Sequence, residues 1–566
     1  MTRVEIADRY AVLAALSAIV VGCWLTAALK FGSSAMAEEE VSIEDGRTVP
    51  VIPSGKALEE MGATIGKIVL LKENVFDTSQ PGEDNWLYAL ANRWHIVTRD
   101  SVISQQLLFK EGDRYSQRLM AESARILRRN IYLYTAVVEP LGYEDGVVDI
   151  VVRTRDVWTL VPGFSVSRSG GENKARVSLS EKNLLGRGAS VRLSYVDDVD
   201  RESTTVEYKD ENFRDSWVSV GVELSDKSDG STKRVNVVRP FYALDTRWSA
   251  GFRFHDDARE DRLYELGNEV AEYGQESEYH SVFRGWSAGL QDGWVRRWTA
   301  GLVYDNQEFF EVENPTLVTL LPEDRRLVYP FIGVEILEDA FEITANRDQI
   351  GRPEDFYLGK RLTASVGYAS EQFGSDRNSM IYSIEASRGY GRINSKALLV
   401  SASASGRIDD GDSANAITGI GARYYNQISR KRLFFMTLDA KVGHNLDLNN
   451  PIELGGDNGL RGYPLRYQVG DASALFTIEH RYFTDWYPFR LFRVGGAIFA
   501  DIGRTWGDNP AGDDSIGWLR DVGIGLRFGP TRSGGDEVIH LDIAFPLDGD
   551  PTIDDVQILL ESKASF

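Results

Sequence analysis

The chain has 566 residues, a formal net charge of −22 and a single cysteine, Cys23. Nucleic acid is a poor partner for so acidic a chain, because its phosphates have to be neutralised by lysine and arginine. If the chain is cut after residue 37, as argued next, no cysteine remains. That excludes disulfides, thiolate metal sites and cysteine nucleophiles from the mature protein.

Residues 1–37 have the pattern of a secretory signal peptide. Arg3 and Arg9 precede an uncharged run over 11–29, and residues 35–37 read Ala-Met-Ala, the small-x-small pattern of a cleavage site. The run is long enough to cross a bilayer, so an uncleaved membrane anchor is the alternative. No comparable run follows, so a membrane-embedded protein would have to span the bilayer as a closed β-barrel.

A polar stretch with two prolines, over 38–62, is predicted to be a linker, and a compact α/β domain over 63–157 follows it. In this domain the hydrophobic periodicity indicates the order strand, helix, helix, strand, strand. Ser116 is predicted to cap the longer helix at its N-terminus. The predicted elements are a strand over 64–71, helices over 85–94 and 117–130, and strands over 134–139 and 147–155.

Over 158–566, strand-length segments alternate apolar and polar residues. In 517–529, for example, Val522 and Ile524 point one way and Asp521 the other. About 19 such segments, together with the signal peptide and the long loops rich in glycine and aspartate, favour a transmembrane barrel over a soluble sandwich. Single-chain barrels have an even number of strands, so some segments are expected to be loop hairpins. Tryptophans near segment ends are predicted to form interfacial girdles: Trp248, Trp286, Trp298, Trp506 and Trp518.

A glycine-rich loop over 453–464 carries one arginine, Arg461, between two strand-like segments. Glycine permits positive φ and close backbone approach, so the loop is predicted to fold back on itself. The strands that follow supply Glu479 and Asp501, and the alternation places Asp501 on the lumen side, opposite Ile498. A guanidinium matches carboxylates with two-pronged hydrogen bonds, so we expect Arg461 to bond Asp501 inside the barrel, with Glu479 close by. A solvated loop with an ordinary surface arginine is the alternative.

Several motifs occur in the order in which the bacterial surface antigen superfamily has them. They are Glu111-Gly112-Asp113-Arg114-Tyr115-Ser116, Leu179-Ser180-Glu181-Lys182-Asn183-Leu184-Leu185-Gly186-Arg187-Gly188, Gly459-Leu460-Arg461-Gly462-Tyr463, Glu479-His480-Arg481-Tyr482 and Phe499-Ala500-Asp501-Ile502-Gly503. Over roughly 63–566 the chain resembles this family, which includes BamA, TamA and the two-partner-secretion transporters.

The resemblance implies an all-β barrel of about 16 antiparallel strands over 158–566. It also implies that 63–157 is a POTRA-like domain, with room for only one where the assembly factors have several. In this family the arginine loop folds into the lumen to meet carboxylates on the inner wall. Carried over by motif, the lumen loop and its partners are Gly459, Arg461, Gly462, Tyr463, Glu479, Asp501 and Gly503.

No catalytic site is predicted. The sequence Gly-Trp-Ser-Ala-Gly over 285–289 matches a hydrolase elbow, but its core recurs in two other strand-like segments and no helix follows it. The six histidines have no metal-ligand spacing, and the acidic run over 409–412 lacks the terminal glutamate of a calcium loop. We therefore expect no enzymatic activity, no cofactor and no metal.

The sequence thus predicts a barrel in the bacterial outer membrane, with its N-terminal domain in the periplasm. The resemblance implies that it assists the insertion or translocation of polypeptides. The predicted partners are outer-membrane lipid, unfolded or extended polypeptide clients and accessory periplasmic proteins or lipoproteins. A sheet edge in the POTRA-like domain would bind such clients by strand addition. The alternative is a passive transport pore or a structural surface protein, in which the arginine loop only plugs the lumen.

Overall fold

The computed structural model describes residues 52–563, apart from 314, 457, 510–516, 535–536, 550 and 552. The predicted signal peptide, most of the predicted linker and the terminal Phe566 lie outside the described residues. Within them, no helix is long and apolar enough to cross a membrane. The chain forms a small α/β domain followed by a closed barrel.

The α/β domain is a three-stranded sheet covered by short helices. In chain order the elements are α1 (Gly55–Glu60), β1 (Thr64–Glu73), α2 (Trp86–Trp94), α3 (Asp100–Ser104), α4 (Gln117–Arg128), β2 (Leu133–Glu144) and β3 (Val147–Asp156). The strand order is β1-β3-β2, with β1 parallel and β2 antiparallel to the central β3. Buried apolar residues of α4 pack against this sheet, as the helical stripe in the sequence predicts.

Two local predictions in this domain need correction. Helix α1 lies within the range predicted as a linker, and it forms because its Leu58 is fully buried in the domain core. Ser116 stands at the N-cap of α4 but makes no capping hydrogen bond through its side chain. Instead the backbone N–H of Gln117 donates to Oε1 of Glu59 at 2.8 Å, so a carboxylate of α1 takes over the capping role.

In the described part of the chain, 20 antiparallel strands pair side by side into the barrel. They are β4 (Leu160–Ser169), β5 (Glu172–Glu181), β6 (Ala189–Asp197), β7 (Glu202–Phe213), β8 (Val218–Lys227), β9 (Gly230–Arg239), β10 (Trp248–Glu265), β11 (Asn268–Gln291), β12 (Trp294–Phe310), β14 (Arg325–Glu338), β17 (Arg361–Ala369), β18 (Ser379–Gly391), β19 (Lys396–Asp409), β20 (Asp412–Ser429), β21 (Arg432–His444), β24 (Ala472–Phe483), β25 (Phe492–Trp506), β26 (Leu519–Pro530), β27 (Val538–Pro546) and β28 (Gln557–Lys563). A two-residue strand, β13 (Val318–Thr319), pairs with Ala271 and Glu272 of β11.

The expected count of about 16 strands is therefore wrong. Each wall strand is hydrogen-bonded to a neighbour on both sides, whereas two short strand pairs described below lie outside the wall. Strands β10, β11 and β12 have 18, 24 and 17 residues. A tilted membrane-spanning strand needs only about 9–11 residues, so these three extend beyond the membrane.

The two faces of the wall differ in polarity. On β26, Val522, Ile524 and Leu526 are exposed on the outer face, while Asp521 and Arg527 are buried inside. On the outer face, Trp248, Trp286 and Trp298 stand opposite one another on β10, β11 and β12 and form a row of exposed indoles. An apolar outer face with interfacial aromatics and a polar interior is the arrangement of a transmembrane barrel.

Two segments outside the wall enter the lumen from opposite ends. We call the end of the barrel that contacts the α/β domain the proximal rim and the other end the distal rim. The distal loop, residues 445–471, joins β21 to β24 and contains the short pair β22 (Ile452–Leu454) and β23 (Gln468–Gly470). The proximal hairpin joins β14 to β17 and consists of β15 (Phe341–Ala345) and β16 (Pro353–Tyr357).

Candidate functional site: a charged cluster joining two lumen plugs

The guanidinium of Arg461, on the distal loop, lies inside the barrel between carboxylates. Its Nε and Nη2 donate to the two oxygens of Asp501 at 2.7 and 2.9 Å, and its Nη1 donates to Oε1 of Glu479 at 2.8 Å. Asp542 is 3.8 Å from Nη1, and the ring of Phe499 lies 3.4 Å from the guanidinium carbon. The side chain of Arg461 is 7% exposed and that of Asp501 is fully buried. The pair is therefore shielded from water.

Strand pairing explains why the two carboxylates converge. Glu479 lies on β24 and Asp501 on β25, and these neighbouring strands place Thr477 opposite Asp501. The hydroxyl of Thr477 donates to Asp501 at 2.7 Å, which orients the carboxylate toward the loop. The structure thus brings Arg461, Glu479 and Asp501 together on the lumen side.

Glycines let the loop approach the wall. Gly459 has φ +120°, where other residues are strained, and a Cβ on Gly462 would lie 2.6 Å from Cβ of Asp521. The N–H of Gly462 donates to Oδ2 of Asp521 at 3.1 Å. At Gly503, on the wall, a Cβ would lie 3.1 Å from the side chain of Leu460. Larger residues at these positions would lift the loop away from its partners.

Tyr463 fixes the end of the same motif. Its side chain is fully buried, and its hydroxyl donates to the carbonyl of Arg520 at 2.7 Å and accepts from the N–H of Arg520 at 3.1 Å. Further along the loop, Arg466 donates to both carboxylate oxygens of Asp200, at 2.8 and 2.7 Å. The distal loop is therefore attached to the wall at three separate places.

The cluster continues from the distal loop to the proximal hairpin. Oε2 of Glu479 accepts a hydrogen bond from Nε of Arg481 at 2.8 Å. Nη1 of Arg481 then donates to the backbone carbonyl of Arg347, at the hairpin tip, at 2.7 Å, and lies 3.7 Å from Asp348. One continuous set of charged contacts therefore joins two segments that enter from opposite rims.

Apolar and polar contacts hold the hairpin tip in the lumen. Ile350 and Phe356 belong to the same buried cluster as Tyr425 and Phe435 of the wall. The carboxylate of Glu354 accepts the backbone N–H groups of residues 347, 348 and 349 at 2.9, 2.8 and 3.1 Å, which closes the tip. Burial raises the pKa of Glu354 to about 7, although these three N–H groups act in the opposite direction.

Helix α4 of the N-terminal domain contacts the base of the hairpin. Arg128 donates to both oxygens of Asp355 at 2.8 and 2.6 Å, and the guanidinium of Arg125 lies 3.7 Å from the ring centre of Phe341. On the same helix, burial raises the pKa of Glu122. A cavity of about 670 Å³ remains between α4, the hairpin and strands β18 to β21. Movement of the N-terminal domain would therefore act directly on the hairpin.

Sequence reasoning missed the hairpin and its basic partners. Part of the signal was present, because residues 341–345 alternate apolar and polar side chains just before the polar turn Asn346-Arg347-Asp348. They resemble wall strands, and nothing in their composition indicates that they enter the lumen. Among the described residues, no cluster of three or more His, Cys, Asp or Glu side chains could hold a metal ion.

No protein-family model matches the sequence. A protein described as a putative outer membrane protein assembly factor, from Treponema pallidum (strain Nichols), is 30% identical over 135 residues. That match spans 22% of this chain and 16% of the relative, so the chain covers only a small part of that protein. The chain resembles the bacterial surface antigen superfamily.

Solved barrels of this superfamily overlap most of the chain at low identity. BamA from Haemophilus ducreyi, lacking POTRA domains 1–3, is 13% identical with a TM-score of 0.38, covering 87% of this chain and 84% of that one. CdiB from Escherichia coli is 12% identical with a TM-score of 0.44, covering 89% and 76%.

The location follows from the barrel itself. In a closed wall every strand pairs with a neighbour on both sides, so its backbone N–H and C=O groups are hydrogen-bonded and no sheet edge is exposed to lipid. The outer face of the wall is apolar, as contact with lipid requires. The protein is a β-barrel of the bacterial outer membrane.

Proposed function

We propose that the protein assists the insertion of polypeptides into the outer membrane, or their translocation across it, by opening its wall at the joint between β28 and β4. We call this joint the seam. Among the described residues, the seam pairs only Leu560 with Arg168. By contrast, β27 and β28 are in register from 538 to 544, and β4 and β5 pair along their whole length. This single pair is the observation that carries the proposal.

Each net backbone hydrogen bond contributes about 0.5–1.5 kcal/mol, so a joint with a single bonded pair among its described residues is expected to open at a lower cost than its neighbours. An opened seam exposes unpaired strand edges, and such edges accept an extended polypeptide by strand addition. The seam therefore offers a route from the lumen into the bilayer.

The N-terminal domain supports the same proposal. We interpret it as a POTRA-like domain on the periplasmic side, since it contacts the proximal rim. Its sheet has β1 at one edge, and residues 64–68 of that edge are already bonded to residues 111–114, so a client strand would add along 69–73. A permanently open pore is disfavoured because the distal loop and the hairpin both occupy the lumen.

A disulfide across the seam tests the proposal. Arg168→Cys with Leu560→Cys joins directly paired residues, whose Cα separation in an antiparallel pair of about 4.5–5.5 Å suits a disulfide. We expect the oxidised protein to insert normally but to lose its activity in assembling or secreting client proteins, and we expect reductant to restore it. The matched control is Leu541→Cys with Leu560→Cys, which joins β27 to β28 and leaves the seam free. Full activity of the seam-locked protein would contradict the proposal.

A further inference from the structure

Helix α2 carries an apolar stripe that is largely exposed in the described chain. Trp86, Leu87, Leu90 and Trp94 fall within about a third of the helix circumference. No residue of α2 is buried, and Trp86 and Trp94 are 72% and 70% exposed. A soluble domain has no reason to turn its two indoles to water, and large exposed apolar patches mark interaction sites.

The position of α2 identifies what covers this stripe. The hydroxyl of Tyr88 donates to the carbonyl of Phe489, in the proximal turn between β24 and β25. In that turn Trp486 and Phe489 are themselves exposed, Phe489 by 78%. The turn continues directly into the outer face of β25, where Ile498 is exposed. Helix α2 therefore lies beside an exposed apolar turn that leads into the lipid-facing wall.

The other end of α2 leads to a second proximal turn. The N–H of Arg99 donates to the carbonyl of Gly186 at 3.0 Å, in the turn between β5 and β6, where Leu185 is also exposed. Along the wall, the seam lies between these two turns, because the strand order runs from β24 and β25 through β28 and β4 to β5 and β6. The segment that contains α2 therefore crosses the proximal rim on the side of the seam.

We propose that α2 is a membrane-interface helix whose stripe inserts into the proximal leaflet of the outer membrane beside the seam. Tryptophan is favoured at such interfaces because its ring is apolar and its N–H stays hydrated. Arg93, exposed at the edge of the stripe, is placed to contact lipid phosphate. The contact fixes the N-terminal domain against the bilayer. It depends on the outer-membrane location and not on polypeptide transport.

Site-specific labelling of the full chain in bilayers tests this inference. In a Cys23→Ser background, single cysteines at Trp86, Trp94 and Asp145 are labelled with an environment-sensitive fluorophore, and the protein is reconstituted in vesicles containing brominated phospholipid. Asp145, in the turn between β2 and β3 of the same domain, is the control, and Ile498→Cys on the wall is the positive reference. We expect positions 86 and 94 to lose most of their fluorescence to brominated lipid, as position 498 does, while position 145 is unaffected.

Two outcomes would overturn the inference. If positions 86 and 94 are quenched by aqueous iodide as strongly as position 145 and not by brominated lipid, the stripe does not contact the bilayer. If they are shielded from both quenchers, and the shielding disappears on dilution to one protein per nanodisc, the stripe is covered by a second copy of the chain.

Trp86→Phe with Trp94→Phe should keep the contact and Trp86→Ser with Trp94→Ser should lose it, with the barrel folded in both.

Discussion

Arg461→Ala should destabilise the distal loop by about 3–5 kcal/mol, the cost of removing one partner from a buried ion pair. Asp501 would lose its charged donor while its carboxylate stays fully buried, although the hydroxyl of Thr477 would still donate to it. Asp501→Ala should cost a similar amount. The double variant should be little worse than either single one, because both remove the same interaction.

The measurement is the temperature at which the folded barrel loses its fast migration on a detergent gel, together with the rate at which a protease cuts residues 445–471. Arg461→Lys should be intermediate, because an ammonium cannot reproduce the two-pronged bond to Asp501 while it also reaches Glu479. Arg466→Ala is the matched control. It removes an arginine–carboxylate pair from the same loop. The side chains of Arg466 and Asp200 are 21% and 29% exposed, so the loop should be destabilised less than by Arg461→Ala. Additive defects of Arg461→Ala and Asp501→Ala would contradict the account.

Replacing the proximal hairpin, residues 341–357, by a short glycine-serine linker should open the lumen. Barrels of roughly 16–18 strands already leave an aqueous channel when nothing fills them, and this wall has 20 strands. We expect a severalfold rise in single-channel conductance in planar bilayers, with the barrel still resistant to detergent. The expected physical cause is the loss of the buried cluster around Ile350 and Phe356.

A point variant tests the contact between the hairpin and the N-terminal domain while the hairpin itself stays in the lumen. Asp355→Asn removes the charge that Arg128 binds but leaves the hairpin's apolar contacts with the wall. It should therefore raise the frequency of brief openings without a permanent increase in conductance. If deletion of the hairpin leaves the conductance unchanged, the distal loop alone seals the lumen and the hairpin is not a plug.

The alternation in the sequence was sufficient to predict which wall residues face lipid. At β25, period-two alternation placed Asp501 and Ile498 on opposite faces, and the structure buries the first and exposes the second. The strand count could not be obtained in this way. About 19 candidate segments were visible, but a hairpin strand such as β15 alternates like a wall strand, and only pairing with neighbours on both sides distinguishes the two.

The contacts of Arg461 could be anticipated because its partners lie on the next two strands, so that chain order and spatial order coincide. The contacts of Arg347 and Asp348 with Arg481 could not be anticipated, because these residues are more than a hundred positions away in sequence. They meet Arg481 only because the hairpin enters the lumen. The burial of the charged cluster could not be predicted from the sequence either. It depends on the distal loop, the hairpin and the wall closing around it together.

Depletion of the protein from its own cell tests the central claim most directly, with quantitative proteomics of the outer membrane and of the culture medium. An insertion factor should lower the amounts of several other β-barrels in the membrane before growth stops. A secretion transporter should instead leave the barrels unchanged and remove one or a few proteins from the medium, with retention of those proteins in the periplasm. We predict one of these two results, and we expect the intact chain to reverse it and the oxidised seam-locked variant not to. If both the barrels and the secreted proteins keep their normal amounts when the protein is gone, it does not handle polypeptides.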